Sequence, residues 1–347
     1  MLKKFIISKK YDILIAMIKE ITKEILNNER VFLEQIETRE IFDEIYQGLA
    51  NEITTTAFIV ALKTLSLENE TLEALIEASV DAVNKPKHSF LNNFQTINLN
   101  PNERYFDTYF AVDIINSANN INSIKYSVEN FNNSYFKELK NYININPYSD
   151  KILEEIEEKK FSYFYLNENE KYIKYISEIR KNLNFENVFD LADYFLNPFS
   201  IKNQMIGVNS IENVQKFANL SLLLNYDNSL VVTSSTGLPF AALDGENTIA
   251  EAWKNKIFTY TLSSELLDLP KYSIEEIKIN DIKDTFEITK NVFKNKKKDV
   301  FFYTIVLNSA LALYISKNAS SLVDGIKLAE TTIESGLAEE KLTQITE

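Results

Sequence analysis

Apolar residues recur at three- and four-residue steps over 11–26, where Ile13, Leu14, Met17, Ile18, Ile21 and Ile25 share one face. That period predicts an amphipathic helix. A second helix is expected over 31–46, and Gly48 interrupts the pattern. Residues 51–63 then read as a largely apolar helix, rich enough in β-branched residues to resemble a strand. Over 70–83, Leu72, Leu75, Ile76, Val80 and Val83 again form one face. Four helices with short joins predict an α-helical unit, which Pro86 ends.

The pattern then changes. Residues 86–104 are polar and carry Pro86 and Pro101, so a domain boundary is expected there. Residues 116–147 hold ten Asn, a residue that favours turns over helix interiors. Tyr, Phe and Ile recur through the same stretch, which argues against disorder. Helices are expected over 152–158 and 173–183. Asn209-Ser210-Ile211-Glu212 approaches a capping box, and Val214, Phe217, Ala218 and Leu222 continue a helix. Leu230-Val231-Val232-Thr233, before a Ser-Ser-Thr-Gly turn, predicts a buried strand. Large apolar residues alternating with Thr over 258–262 predict another. Helices follow over 305–315 and 322–334, the second closed by Gly336. Strands alternating with helices imply an α/β fold, a mostly parallel sheet flanked by helices.

Composition narrows the function. The 347 residues suffice for two domains. Only 6 Gly and 6 Pro favour long helices and compact joins. Acidic residues outnumber basic ones, 50 to 37, for a net charge of −13. This opposes nucleic-acid binding, which needs a basic footprint. The one dense basic run, Lys294 with Lys296, Lys297 and Lys298, meets Asp299 at once and reads as a solvated turn. With no Cys, disulfides, thiolate metal sites and cysteine nucleophiles are excluded. The single His88, in a loop-like Lys-Pro-Lys-His-Ser stretch, cannot build a histidine metal site. The apolar part of the N-terminus is too short for a signal peptide, and no stretch has the length of a membrane span. No membrane partner and a cytoplasmic location are therefore expected.

Several short pieces, in order, carry a resemblance. They are Gly48-Leu49 and Thr56-Ala57-Phe58-Ile59-Val60-Ala61-Leu62-Lys63, then Arg180-Lys181-Asn182-Leu183, Asn197-Pro198, Gln204 and Gly207-Val208. Leu230-Val231-Val232 with Gly237-Leu238, Asn308-Ser309-Ala310, Leu322-Val323-Asp324-Gly325 and Ser335-Gly336-Leu337-Ala338 complete the series. Together they resemble the anthranilate phosphoribosyltransferase family. The resemblance implies a discontinuous α-helical bundle domain, 1–85 and 162–200, and a larger α/β domain, 86–161 and 201–347. It also implies a homodimer through the helical domain, and transfer of a phosphoribosyl group from phosphoribosyl pyrophosphate to an aromatic amine with magnesium.

The family's phosphate and metal motifs match poorly. Its Gly-Thr-Gly-Gly-Asp loop follows a strand, because only side-chain-free positions let backbone amides crowd a pyrophosphate. One register sets Asp107-Thr108-Tyr109-Phe110-Ala111-Val112-Asp113 there. Another sets Leu99-Asn100-Pro101-Asn102-Glu103. Neither contains a glycine. In the first register the Asn-x-Ser-Thr phosphate motif falls near Ile115–Ala118, where only Ser117 fits. The Lys-His-Gly-Asn loop has no counterpart. The Asp-Glu pair that holds magnesium is replaced by Pro239-Phe240, so no metal cofactor is expected. The later Glu-Asn-Ala motif is absent near 284–289, although Asp284 or Glu287 leaves an acidic group nearby.

Arg180 matches the family arginine that contacts the acceptor carboxylate, and its planar fork suits that task. It could equally pair with Glu178 or Glu186. The other substrate-binding candidates are Asp107, Thr108, Ser117 and Asn308. Asp107 and Ser117 would also serve as caps, and Asn308 as a satisfied buried amide. Charge-assisted hydrogen bonds contribute about 1.5–3 kcal/mol each. Losing three or four removes about the 8 kcal/mol of micromolar affinity. The expectation is a non-catalytic scaffold or regulatory protein. The alternative is a transferase or ligand-binding protein with altered specificity for a carboxylated aromatic small molecule.

Overall fold

The structure is a computed structural model that describes residues 15–82, 92–99, 102, 104–128, 134–145, 151–166, 171–183, 185 and 187–347. Pro86, His88, Asn100, Pro101 and Glu103 lie outside the described residues. So do the first residues of the expected 11–26 helix.

The chain divides into two compact units. The first comprises Met1–Lys87, Ser127–Asn132 and Tyr165–Phe199. The second comprises His88–Tyr126, Asn133–Phe164 and Ser200–Glu347. The sequence division at 85, 161 and 200 lacks the short 127–132 segment.

The first unit holds α1 (15–26), α2 (Gln35–Tyr46), α3 (Glu52–Leu62) and α4 (Asn69–Ala82). Arg39 joins α2 to α4, bonding Asp43 at 3.0 Å within its own helix and Glu77 and Asp81 across. Buried Phe42 packs on Phe58 of α3. Asn51 caps α3 by accepting from the Thr54 N–H at 2.9 Å. That cap selects the helix from the two readings its β-branched residues allow.

The second unit contributes β1 (Asn93–Asn98), α5 (Tyr109–Ala118), β2 (Asn122–Val128), α6 (Ser134–Tyr142), α7 (Ile152–Lys159) and β3 (Phe161–Leu166). Then α8 (Lys171–Leu183) and α9 (Val188–Asp193), in the first unit, intervene. The second unit resumes with β4 (Asn203–Gly207), α10 (Ile211–Leu223), β5 (Asn228–Ser234), β6 (Glu246–Trp253) and β7 (Lys256–Ser263). It closes with α11 (Asp284–Asn295), α12 (Val300–Ile315), α13 (Leu322–Glu334) and α14 (Leu337–Thr346).

The seven strands form one sheet in the order β3-β2-β1-β4-β5-β6-β7. β1 runs parallel to β2 and β4, and β4 parallel to β5. β6 and β7 join antiparallel as a hairpin. The expected α/β class with a mostly parallel, helix-flanked sheet is the observed one. A buried polar ladder crosses the sheet. The Gln204 side chain accepts from Gln95 at 2.8 Å and donates to Ser221 and Ser229 at 3.0 Å each.

Three expectations need correction. The 107–113 stretch is not a loop after a strand but the start and body of α5. β1 ends at Asn98 and α5 begins at Tyr109, so the second register, Leu99–Glu103, is the one that directly follows the strand. In α10 the N-cap is Ser210, and Glu212 stands one residue short of a capping-box position. α12 starts at Val300 rather than 305, because the Asp299 carboxylate accepts from the Phe302 N–H at 3.3 Å. The lysine run behaves as expected: Lys296 ends α11 in a left-handed conformation, and Lys298 reaches Glu334 at 2.7 Å.

No single helix among the described residues is long and apolar enough to cross a membrane. The pair α11–α12 reaches that composition but is bent by 94°, and α12 is almost wholly buried in the second unit's core.

Gly207 ends β4 where the backbone of 238–240 comes closest. A Cβ there would meet the Pro239 carbonyl oxygen at 1.7 Å and the Tyr109 hydroxyl at 2.3 Å. Overpacking typically costs about 1–3 kcal/mol, and here backbone must move. Gly207→Ala is expected to lower stability by at least about 3 kcal/mol, read as a lower urea midpoint with unchanged slope.

Candidate functional site

The segment that the first register set against phosphate is buried in the core. Every side chain from Phe106 to Ser117 is buried. Phe106 meets Phe301 edge-on at 5.3 Å, and Phe110 sits between Tyr142, Phe161 and Phe286 at 5.8, 6.4 and 5.2 Å. Such aromatic pairs contribute about 0.5–1.5 kcal/mol beyond their burial. Tyr109 turns toward the segment after β5, where its hydroxyl donates to the Pro239 carbonyl at 2.6 Å.

That second segment is rigid for its own reasons. Gly237, at φ +77°, makes the turn after β5. Two buried asparagines then clamp the chain. Asn308 of α12 accepts from the Ala241 N–H at 2.9 Å and donates to the Ala241 carbonyl at 2.8 Å. Asn247 makes the same reciprocal pair with Ala242, at 2.7 and 2.9 Å. Asn308 also donates to the Thr304 carbonyl at 2.9 Å. Its amide is therefore spent on shape, and the substrate-binding expectation for Asn308 gives way to the satisfied-amide one.

Each remaining candidate has a definite place. Asp107 caps α5: its carboxylate accepts from the Tyr109 N–H at 2.8 Å and from Asn98 at 2.5 Å. A helix N-terminus attracts an anion, and here the chain supplies its own. Burial raises the Asp107 pKa, and these donors moderate the rise. Thr108 is fully buried, and its hydroxyl has no partner among the described residues. Ser117 lies ten residues beyond Asp107, about 15 Å along the helix. Its hydroxyl donates to the Asp113 carbonyl at 2.7 Å and the Lys160 carbonyl at 2.9 Å. Ser117 thus ties α5 to its neighbours, and the phosphate expectation for it fails on position as well as bonding. Asp107, Thr108 and Pro239 are brought together through Tyr109.

Arg180 belongs to the first unit and is buried. Its guanidinium pairs with Asp190 and, at 2.6 Å, with Asp193. Of the two expected partners, Glu178 makes no ion pair with it, and Glu186 lies outside the described residues. Asp190 also accepts from the Asn187 N–H at 2.7 Å, which completes the capping box of α9. Burial pushes the Asp193 carboxyl up to about 6, against the pull of Arg180. The arrangement is a buried brace between α8 and α9.

Sequence reasoning missed the buried ion pair behind the plug. Lys125 of β2 reaches Asp113 of α5 at 2.9 Å, and Thr96 of β1 bonds both, donating to Asp113 at 3.0 Å and accepting from Lys125 at 2.7 Å. Burial pushes the Asp113 carboxyl up to about 6, and Lys125 opposes the shift. One signal was available: a lone carboxylate inside an apolar helix needs a buried partner.

The implied magnesium does not fit these residues. Phe240 is buried, the Pro239 carbonyl is occupied by Tyr109, and neither side chain can ligate. Among the described residues no cluster of three His, Cys, Asp or Glu could hold a metal. Asp284 accepts from the Asn280 and Asp281 N–H groups at 3.1 and 3.2 Å and so caps its own turn.

Comparisons with known proteins agree with the fold. The family model described as "Glycosyl transferase family, a/b domain" matches residues 138–339. The chain belongs to this family. The matched range begins beyond the plugged segment. A Thermoanaerobacter anthranilate phosphoribosyltransferase is 28% identical over 340 residues, covering 95% of this chain and 98% of the relative. One from Priestia megaterium is 33% identical over 173 residues, half of this chain and 51% of the relative. Among solved structures, the anthranilate phosphoribosyltransferase of Thermus thermophilus superposes with TM-score 0.78 at 19% identity, over 93% of this chain and 97% of that one. The Saccharomyces cerevisiae enzyme in complex with PRPP and Mg gives 0.77 at 17%, over 96% and 97%. The chain is thus an anthranilate phosphoribosyltransferase-like member of the family.

Two outcomes follow from the buried pairs. Removing one partner of such a pair costs about 3–5 kcal/mol, whereas replacing both with apolar groups is often neutral. Asp113→Ala and Lys125→Met should each lose about that much, and the double variant should recover most of it in chemical denaturation. The pH dependence has a fixed sign. An unfolded Asp titrates near 3.8, and Asp113 when folded near 6. Folding therefore takes up a proton between these values. The stabilisation is full below 3.8 and is lost as pH rises through about 6. Asp193 acts in the same direction. Urea stability measured from about pH 4 to 7 should show this component, reduced in the double variant.

Proposed function

We propose that this protein is a non-catalytic, dimeric member of its family, a scaffold or regulatory partner without phosphoribosyl pyrophosphate-dependent transfer. The observation that carries the reading is the plug. At the start of α5, just beyond the segment that stands in the glycine-loop position, Phe106, Tyr109 and Phe110 are buried aromatic side chains, and the Tyr109 hydroxyl donates to the Pro239 carbonyl. Charge adds to this. A diphosphate at the start of α5 would face Asp107, already seated on the helix N-terminus. The magnesium that would offset that repulsion has lost its carboxylate pair to Pro239 and Phe240.

Recognition of an aromatic carboxylate through Arg180 gains no support, since two buried aspartates hold the guanidinium. Dimerisation through the helical unit does. Leu26, Val31, Phe32, Ile36, Ile53 and Val60 are exposed on or between α1, α2 and α3, with Ile36 at 76% and Ile53 at 82%. Exposed large apolar side chains are what an interaction surface draws on.

Purified protein, mixed with anthranilate, phosphoribosyl pyrophosphate and magnesium, should leave anthranilate fluorescence unchanged over hours. Steady consumption of anthranilate would refute the reading. In sedimentation velocity the wild type should run as a dimer and Ile36→Lys/Ile53→Lys as a monomer of unchanged circular dichroism. A monomeric wild type would remove the dimer from the proposal.

A further inference from the structure

The second unit carries a recess of about 510 Å³, away from the plugged segment. Its walls come from β6, β7, the last turn of α12 and the residues before α13. Glu251, Trp253, Phe258, Tyr314, Lys317 and Ser320 line it. The volume falls within the range of about 300–1,000 Å³ typical of small-molecule sites. The hairpin places Glu251, Trp253 and Phe258 on one face of the sheet: residues two apart in a strand share a face, and Glu251 lies directly opposite Phe258.

The charges in this recess are unusual. Glu251 is held in place by two hydroxyls, Tyr260 at 2.7 Å and Tyr314 at 3.4 Å. No Lys or Arg comes within 4.0 Å of its carboxylate among the described residues. Lys317 has no carboxylate within that distance either. Its ammonium lies over two of the recess's rings, 5.4 Å from the Trp253 centroid and 5.5 Å from Tyr314. Lys254, at the hairpin tip, covers Trp253 at 4.3 Å without lining the recess. Trp253 is 38% exposed and Phe258 51%. An aromatic hollow thus holds one anchored negative group and one positive group on a flexible stem, neither in an ion pair.

A simple cation would suit Glu251 and the rings but meet Lys317. A simple anion would suit Lys317 but meet Glu251. A molecule bearing both charges and an apolar body satisfies all three features. We propose that the recess binds a zwitterionic α-amino acid with an apolar or aromatic side chain, its ammonium at Glu251, its carboxylate at Lys317 and its side chain against Trp253, Phe258 and Tyr314. The long Lys317 stem lets the ammonium follow the ligand carboxylate. This site stands apart from the question of transferase activity.

Trp253 is the only Trp in the chain, so its emission reports on this recess directly. L-Phenylalanine, phenethylamine and 3-phenylpropionate are titrated against that emission, with equilibrium dialysis as a second measure of binding. L-Phenylalanine should give a saturable change. Each single-charge analogue should bind about tenfold more weakly or worse, the loss of one charge-assisted contact. Glu251→Gln keeps a partner for the tyrosine hydroxyls, and Lys317→Met keeps the stem. Each should reduce L-phenylalanine affinity by a similar factor. Three results each overturn the proposal: no binding of L-phenylalanine or L-leucine by either measure, an analogue that binds as tightly as the amino acid, or variants that bind it as the wild type does.

Discussion

The hydrogen bond from the Tyr109 hydroxyl to the Pro239 carbonyl, made over Gly207, is the contact on which the proposed loss of phosphate binding rests. It joins three parts of the fold that are distant in sequence: the start of α5, the end of β4 and the segment after β5. The contact is possible only because Gly207 has no side chain. It stays fixed because Asn308 and Asn247 hold Ala241 and Ala242 from the other side. Around this contact every side chain from Phe106 to Ser117 is buried. A buried Tyr hydroxyl without a partner would cost about 1–3 kcal/mol, so the Pro239 carbonyl is what permits a tyrosine rather than a phenylalanine at this place.

Charge follows the same logic. A site for diphosphate and magnesium keeps charges that await a ligand. Here the buried charges are satisfied within the chain. Asp107 sits on the α5 N-terminus, Asp113 holds Lys125, and Arg180 holds Asp190 and Asp193. The two sets of ion pairs stabilise little in themselves, because desolvation offsets attraction. They do penalise any rearrangement that would separate them, which keeps α5 against β1 and β2 and keeps α8 against α9. Residues that resemble ligand contacts in sequence thereby act as internal braces. Fold and chemistry separate here as they commonly do.

Much of this was legible in the sequence, and the reasons differ by element. α1, α2 and α4 of the first unit show clear three- and four-residue periods, and α13 read correctly, whereas the first turn of α12 and the short α9 did not show. The class of fold follows from the alternation of strands and helices. The missed elements lie where polar and apolar residues mix without a period. β1, Asn93-Phe94-Gln95-Thr96-Ile97-Asn98, is buried at nearly every position, yet four of its six residues are polar. Its side chains are satisfied by Gln204, Tyr226, Asp113 and Lys125 from other elements, which no local pattern reveals. The Asn-rich 116–147 stretch hides β2 and α6 for the same reason. A loop motif matched to Asp107–Asp113 obscures α5, although a capping Asp before an apolar run already marks a helix start. The missing glycines and the Pro239-Phe240 replacement need only the residues themselves. The plug needs coordinates, since Tyr109 and Pro239 stand 130 residues apart.

The most direct test is calorimetric titration of the wild-type protein with phosphoribosyl pyrophosphate in the presence of magnesium, repeated with inorganic pyrophosphate. The proposal predicts no saturable heat with either ligand up to millimolar concentration, since Asp107 already occupies the N-terminus of α5 and Tyr109 is buried beside it against Pro239. Saturable binding at micromolar concentration would contradict this, because the plug would then have to open.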